Sequence, residues 1–194
     1  MSKTSGVLKS WIKQTSTYYQ LRYFSPKVRR KSPLRNIYHC CMVRTASTWL
    51  FDLFGDSRVY EQTGLTTFSY QHYLPGKVDP RPSTYRPFAR PFPTRTIVKM
   101  YNDYLSFSET PKPSEYRAIS VIRDPRDLLV SWYFAFRYSH AMKGQTPRLR
   151  AVLSELNEEE GLLFGIRHLD EVNVFSALRS WVEQGDDDDR HDPA

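Results

Sequence analysis

Twice along this chain an apolar run breaks into polar and basic residues and then resumes with helical spacing: CMVRTASTWLFDLF (Cys41–Phe54) and ISVIRDPRDLLVSWY (Ile119–Tyr133). A segment of this kind reads as a buried strand handing a short loop to the N-terminus of a helix. A helix next to a buried strand must pack back onto the sheet. Repetition of the unit therefore commits the chain to an α/β architecture with parallel strands. The unit also has an electrostatic consequence, because the exposed N–H groups and dipole at a helix N-terminus favour an anion. Two such units predict two anion sites at the carboxyl ends of strands, where open α/β sheets bind their ligands.

The rest of the chain fits around these units. Asn36–Val43 is expected as a first strand buried on both faces, followed by a helix over Thr48–Phe54 with Ser47 or Thr48 as its N-cap. Arg58–Gln62 reads as a short strand, and Thr96–Met100 and Arg117–Ile122 as further strands. Asp124–Tyr138 is expected as a helix with Pro125 in its first turn, where proline is tolerated. Thr146–Leu156 and Gly161–Gln184 are expected as helices, the latter amphipathic through Leu162, Ile166, Leu169, Val172, Phe175, Leu178 and Trp181. Residues 75–93 hold Pro75, Pro80, Pro82, Pro87, Pro91 and Pro93, too many for a helix or interior strand, and predict an ordered loop over one face of the core. Strands alternating with helices give a three-layer α/β/α fold around a central parallel sheet.

Charge divides the chain. Residues 1–35 carry nine of the 28 Lys and Arg and no acid, which leaves 19 basic against 21 acidic side chains elsewhere, a balance of −2. The basic segment 1–35 also contains Tyr18, Tyr19, Tyr23 and Phe24, with a helix expected over 5–24 and a linker over Ser25–Pro33. Such an arm suits contact with an anionic surface, and a solvated helix and linker is the plainer alternative. The core domain is expected over 36–184, with residues 185–194, GDDDDRHDPA, as an acidic tail carrying no core signal. No apolar stretch approaches the roughly 20 residues that span a bilayer, and the N-terminus lacks the apolar region of a secretory signal. Cys40 and Cys41 are adjacent in a strand-like run, which is neither a disulfide framework nor a zinc spacing. They read as buried thiols in a reducing cytoplasm, with no metal site expected.

The loops carry the chemistry. Arg44-Thr45-Ala46-Ser47-Thr48-Trp49 offers a guanidinium, three hydroxyls and a small residue at a strand-to-helix turn. Arginine can bind two oxygens of a phosphate or sulfate at once, with hydroxyls and amides filling the remaining lone pairs. A Walker A loop would need G-x-x-x-x-G-K-[ST], which is absent. The second loop ends a strand at Arg123, turns through Asp124-Pro125-Arg126-Asp127 and places Ser131 two helical turns on. Arg126 and Asp127 are expected as a solvated charge pair.

These two loops resemble the signatures of the sulfotransferases that use 3′-phosphoadenosine-5′-phosphosulfate. Arg44–Trp49 is similar to the P-[KR]-[ST]-G-[ST]-T-W loop, and Arg123–Ser131 matches the specified positions of R-[ND]-P-[KR]-D-x-x-V-S. The resemblance covers roughly residues 36–184 and implies a P-loop NTPase-like fold of the sulfotransferase type. It implies that Arg44 neutralises charge on the phosphosulfate bridge, and that Thr45, Ala46, Ser47 and Thr48 surround the 5′-phosphate. Trp49 would lie near the adenine, and Arg123 and Ser131 would hold the 3′-phosphate. Lys99, in TIVKMY, is similar to the lysine of the family's K-T-H motif and would assist at the transferring sulfuryl group. Tyr101 would occupy the base position of that motif. The implied activity moves a sulfuryl group to a hydroxyl or amine of a small molecule, glycan or lipid, without a metal.

The chain departs from the pattern in three places. Ala46 stands where the loop glycine is usual. Tyr101 replaces the histidine, and a phenol with an ordinary pKa near 10 is a poor base at neutral pH; Asp103, His72 and His140 are the other candidates. The further strand and R-K-G-x-x-G segment usual in the family are not found after Gln184. These departures leave open a shortened homologue that binds the nucleotide or a partner without turnover, and, below it, a nucleotide kinase-like protein. Tyr70, His72, Tyr73, Tyr85 and Phe88 are expected on the acceptor side or in aromatic packing under the long loop. No sequence-specific nucleic-acid element is evident, and a homodimer is left open.

Overall fold

The computed structural model describes residues 28–74, 88–101 and 103–188. The helix expected over 5–24, residues 75–87 of the Pro-rich loop with Tyr85, and the tail beyond Asp188 lie outside the described residues.

Four parallel strands form one sheet. They are β1 (Asn36–Cys41), β2 (Thr66–Ser69), β3 (Thr96–Tyr101) and β4 (Tyr116–Val121), in the order β2-β3-β1-β4. The alternating helices are α1 (Ser47–Phe54), α2 (Ser57–Thr63), α3 (Tyr104–Glu109), α4 (Pro125–Phe134), α5 (Thr146–Glu155), α6 (Glu158–Glu171) and α7 (Val174–Asp188). The protein is thus an α/β fold with a four-stranded parallel sheet and flanking helices. Register decides where the loops go. Cys41 lies opposite Tyr101 on β3 and Val121 on β4, so three strands end level and deliver their loops to one edge of the sheet.

β1 is buried as expected, with only Ile37 half-buried. β4, also expected as a buried strand, is instead the sheet's edge, with Arg117–Ser120 exposed because no strand among the described residues covers its outer side. On one face Tyr38, Cys40, Val98 and Met100 pack with Phe68, Phe107 and Trp181. On the other, His39 meets Phe54 of α1 edge-on at 5.5 Å. A second core under α4 joins Met42, Leu128, Trp132 and Tyr133 to Leu149, Leu153, Leu169 and Leu178. Gly161 and Gly165 of α6 let that helix approach the rings of Tyr133 and Trp132. Both cysteines are buried outside any disulfide, and the Cys41 thiol donates to the C=O of Met100 at 3.0 Å.

Several expectations need correction. Arg58–Gln62 is not a strand but lies in α2, because Asp56 caps the helix by accepting from Arg58 N–H and Gly64 ends it at φ 63°. The helix expected over Gly161–Gln184 is two helices, broken where Asn173 takes φ 56°. The helix expected over Asp124–Tyr138 is α-helical only to Phe134, and Ala135–Ser139 forms a π-helical turn. Neither Ser47 nor Thr48 caps α1; Ala46 holds that position in a left-handed conformation, with no side-chain cap. Strand β2, helix α3 and the 3₁₀ turn Tyr70–Tyr73 were not foreseen from the sequence. No helix among the described residues is long and apolar enough to cross a membrane.

Candidate anion-binding site

The loop after β1 is shaped by its backbone. Thr45 Oγ donates to Met42 C=O at 2.9 Å and accepts from Met42 N–H at 3.2 Å, which buries Thr45 as the pin of the turn. Arg44 and Ala46, on either side, take φ 63° and 57°. Left-handed backbone at a residue with a Cβ costs about 1–2 kcal/mol. Alternation in the sign of φ turns successive N–H groups toward one side, the geometry of an anion-binding concavity. That concavity opens at the N-terminus of α1, where the helix dipole adds partial positive charge.

The loop after β4 meets it. Arg123 donates from a guanidinium nitrogen to the C=O of Arg44 at 3.1 Å. Arg44 in turn donates from Nε to Ser131 Oγ at 3.1 Å, across 87 residues of sequence. These two bonds tie the segments into one wall. Proximity follows from the register, because β1 and β4 are neighbours whose ends lie level.

A cavity of about 590 Å³ lies against this wall. Its size falls within the roughly 300–1,000 Å³ of small-molecule sites. Val43, Arg44, Ala46, Ser47, Thr48 and Trp49 line it from the first segment, Arg123 and Ser131 from the second, and Lys99 from β3. Gln71, Phe136 and His140 complete it. Among the described residues, three cations and no carboxylate face this space. The imbalance is visible in the titration of its neighbours. His140 is held below the ordinary imidazole range by burial first, then by Arg44 and Arg150. His39 lies beneath the floor, opposite Lys99 in register, and is pushed down to about 4 by burial and by the Lys99 charge. Its two ring nitrogens have no hydrogen-bond partner among the described residues.

Of the residues expected at the site, Arg44, Ala46, Ser47, Thr48, Trp49, Lys99, Arg123 and Ser131 line one cavity. Thr45 does not; it supports the loop from beneath. Trp49 is 65% exposed at the rim. The Lys99 ammonium sits 5.3 Å from the centre of the Phe51 ring, which fixes its direction through a cation–π contact. Tyr101 ends β3, and its side chain is outside the described residues. Asp103 is occupied elsewhere, as the N-cap of α3 accepting from Ser106 N–H at 2.7 Å. Arg126 is not paired with Asp127 as expected. It chelates Asp124 on the surface, and that contact holds the Asp124 carboxyl down to about 2. Among the described residues no group of three or more His, Cys, Asp or Glu could hold a metal ion.

The chain matches no protein-family model, no curated protein and no solved structure. The chemistry of the site therefore rests on its own residues. Val43, Gln71 and Phe136 also line the cavity, though the sequence does not mark them as site residues. Gln71 comes from the 3₁₀ turn after β2, and Phe136 from the π-helical turn, whose spacing no 3.6-residue periodicity reveals. Tyr73 and Phe88, expected either on the acceptor side or in aromatic packing under the long loop, take the second role and pack around Phe92.

Proposed function

We propose that this protein binds 3′-phosphoadenosine-5′-phosphosulfate and transfers its sulfuryl group to a hydroxyl or amine acceptor. The observation that carries the reading is the meeting of Arg44 and Lys99 with Arg123 and Ser131 in one cavity lined, among the described residues, by no carboxylate. A ligand with two separated anionic groups suits two bonded but distinct loops. The Ala46–Trp49 turn would take the 5′-phosphate through backbone and hydroxyl donors. Arg123 and Ser131 would take the 3′-phosphate.

Sulfuryl transfer, like phosphoryl transfer, depends on alignment and on neutralising charge at the bridging and equatorial oxygens. Arg44, from the loop after β1, and Lys99, from the adjacent strand β3, supply cations for that purpose. The exposed Trp49 ring at the rim suits stacking on a purine. The concavity is formed although Ala46 stands where a glycine is usual, because the chain accepts strained backbone there.

Thermal unfolding with 3′-phosphoadenosine-5′-phosphate or ATP tests binding, since a ligand raises the stability of the state it binds. The bisphosphate should raise the midpoint at concentrations where ATP does not. No shift with the bisphosphate would end the proposal. Transfer of labelled sulfate from the phosphosulfate to a panel of phenols, alcohols and amines then separates turnover from binding alone.

A further inference from the structure

The cavity has cations in place, but sulfuryl transfer also needs a group to take the acceptor's proton. We infer that His140, presented by the π-helical turn Ala135–Ser139, is that proton acceptor. This inference rests on the sulfuryl-transfer reading. Of the titratable side chains lining the cavity among the described residues, Arg44, Lys99 and Arg123 are cations and only His140 is a base that is neutral near pH 7. The other candidates lie elsewhere. Asp103 caps α3. His72 packs edge-on to Phe68 at 5.2 Å and does not line the cavity. His39 is neutral but completely buried beneath it.

The geometry around His140 is built rather than incidental. A π-helical turn carries one extra residue per turn and re-aims the residues after it, a device that recurs at functional sites. Here it brings Phe136 and His140 to the cavity wall together, their rings 4.8 Å apart. Arg150 of α5 fixes the turn from behind. Its Nε donates to the C=O of Phe136 at 3.0 Å, and a terminal nitrogen donates to the C=O of His140 at 2.7 Å. Both bonds go to backbone oxygens, so the imidazole stays available to the cavity. The charged groups facing the ring are Arg44 and Arg150, with Lys99 and Arg123 across the same space. All are positive and favour the unprotonated ring, the form a base must have.

In the transfer step the acceptor oxygen forms its bond to sulfur while the bond between sulfur and the bridging oxygen breaks. That electron pair leaves on the nucleoside bisphosphate. The acceptor's proton passes to the free ring nitrogen of His140. Arg150 acts as a positioning residue, through the turn.

The test uses the full chain. In the wild type, the His140 ring proton signal should titrate below the ordinary imidazole value and move upward when 3′-phosphoadenosine-5′-phosphate is bound, because the bound phosphates favour the protonated ring. His140→Gln should still bind the bisphosphate at about pH 8, where His140 is already neutral. It should lose labelled sulfate transfer by about 100-fold or more, and the acidic limb of the kcat/KM profile should disappear with it. Arg150→Met should weaken that limb without abolishing it. Retained transfer in His140→Gln, or a His140 titration unmoved by bound bisphosphate, would overturn the assignment while leaving the nucleotide reading intact. Bisphosphate binding with no transfer by the wild type would overturn it too. No bisphosphate binding at all would remove the reading on which it rests.

Discussion

Replacing Arg123 with Met keeps an apolar stem and deletes the guanidinium, which separates the residue's structural role from its proposed ligand role. In the unliganded protein that guanidinium makes one half-buried hydrogen bond, to the C=O of Arg44 at 3.1 Å. A bond of this kind contributes about 0.5–1.5 kcal/mol. For a chain of this length each kcal/mol moves the unfolding midpoint by roughly 2–4 °C, so Arg123→Met should unfold only a few degrees early. The ligand effect is larger. A charge-assisted bond to a phosphate contributes about 1.5–3 kcal/mol, which corresponds to roughly ten- to 150-fold in Kd. The loss should depend on the 3′-phosphate. Calorimetric titration of wild type and Arg123→Met with 3′-phosphoadenosine-5′-phosphate and with adenosine 5′-monophosphate forms a thermodynamic cycle. Arg123→Met should weaken bisphosphate binding strongly and monophosphate binding little. Equal losses for both would mean that Arg123 holds the loop rather than the 3′-phosphate. A variant that unfolds far earlier but binds normally would refute both halves of the reasoning.

Other outcomes rest on particular contacts. His39 has a folded pKa of about 4 against 6.5 when exposed, so the unfolded chain binds more protons between those values and stability falls as pH drops from 6.5 toward 4. Its share of the loss at pH 5 is about 2 kcal/mol, and His39→Leu should remove that share in urea melts at pH 7 and pH 5. Gly161→Ala places a Cβ within 3.2 Å of Tyr133 Cδ2 and closer still to Cε2, and should lower stability by about 1–3 kcal/mol in the same melts. Ala46→Gly relieves a left-handed residue at φ 57°, and thermal unfolding should show unchanged or improved stability, by up to about 1 kcal/mol. Ser131→Ala removes the oxygen that accepts from Arg44 Nε, and should weaken bisphosphate binding measurably while leaving the fold unaltered by circular dichroism.

The sequence announces the features that lie in contiguous segments. Strands β1, β3 and β4 and helices α1 and α4 are legible because long apolar runs end in recognisable turns, and both loops of the site travel with them. Other elements are decided by capping and backbone conformation that composition only hints at. Val59 and Tyr60 look strand-like, yet the Asp56 cap and Gly64 stop make α2. Asn173 interrupts an apolar pattern that runs on unbroken through the sequence. Strand β2 is four residues, three of them hydroxyl-bearing, and is buried only because β3 lies beside it. The less legible half of the site depends on such elements. Gln71 comes just after β2, and His140 faces the cavity because a π-helical turn and two bonds from Arg150 put it there.

The proposed function requires that the two loops form two separate grips on one nucleotide. Calorimetric comparison of 3′-phosphoadenosine-5′-phosphate with adenosine 5′-monophosphate on the wild-type chain tests it most directly. Removal of the 3′-phosphate should weaken binding by roughly tenfold or more, the free energy of a charge-assisted contact. Equal affinity for the two, or binding of neither, would contradict it.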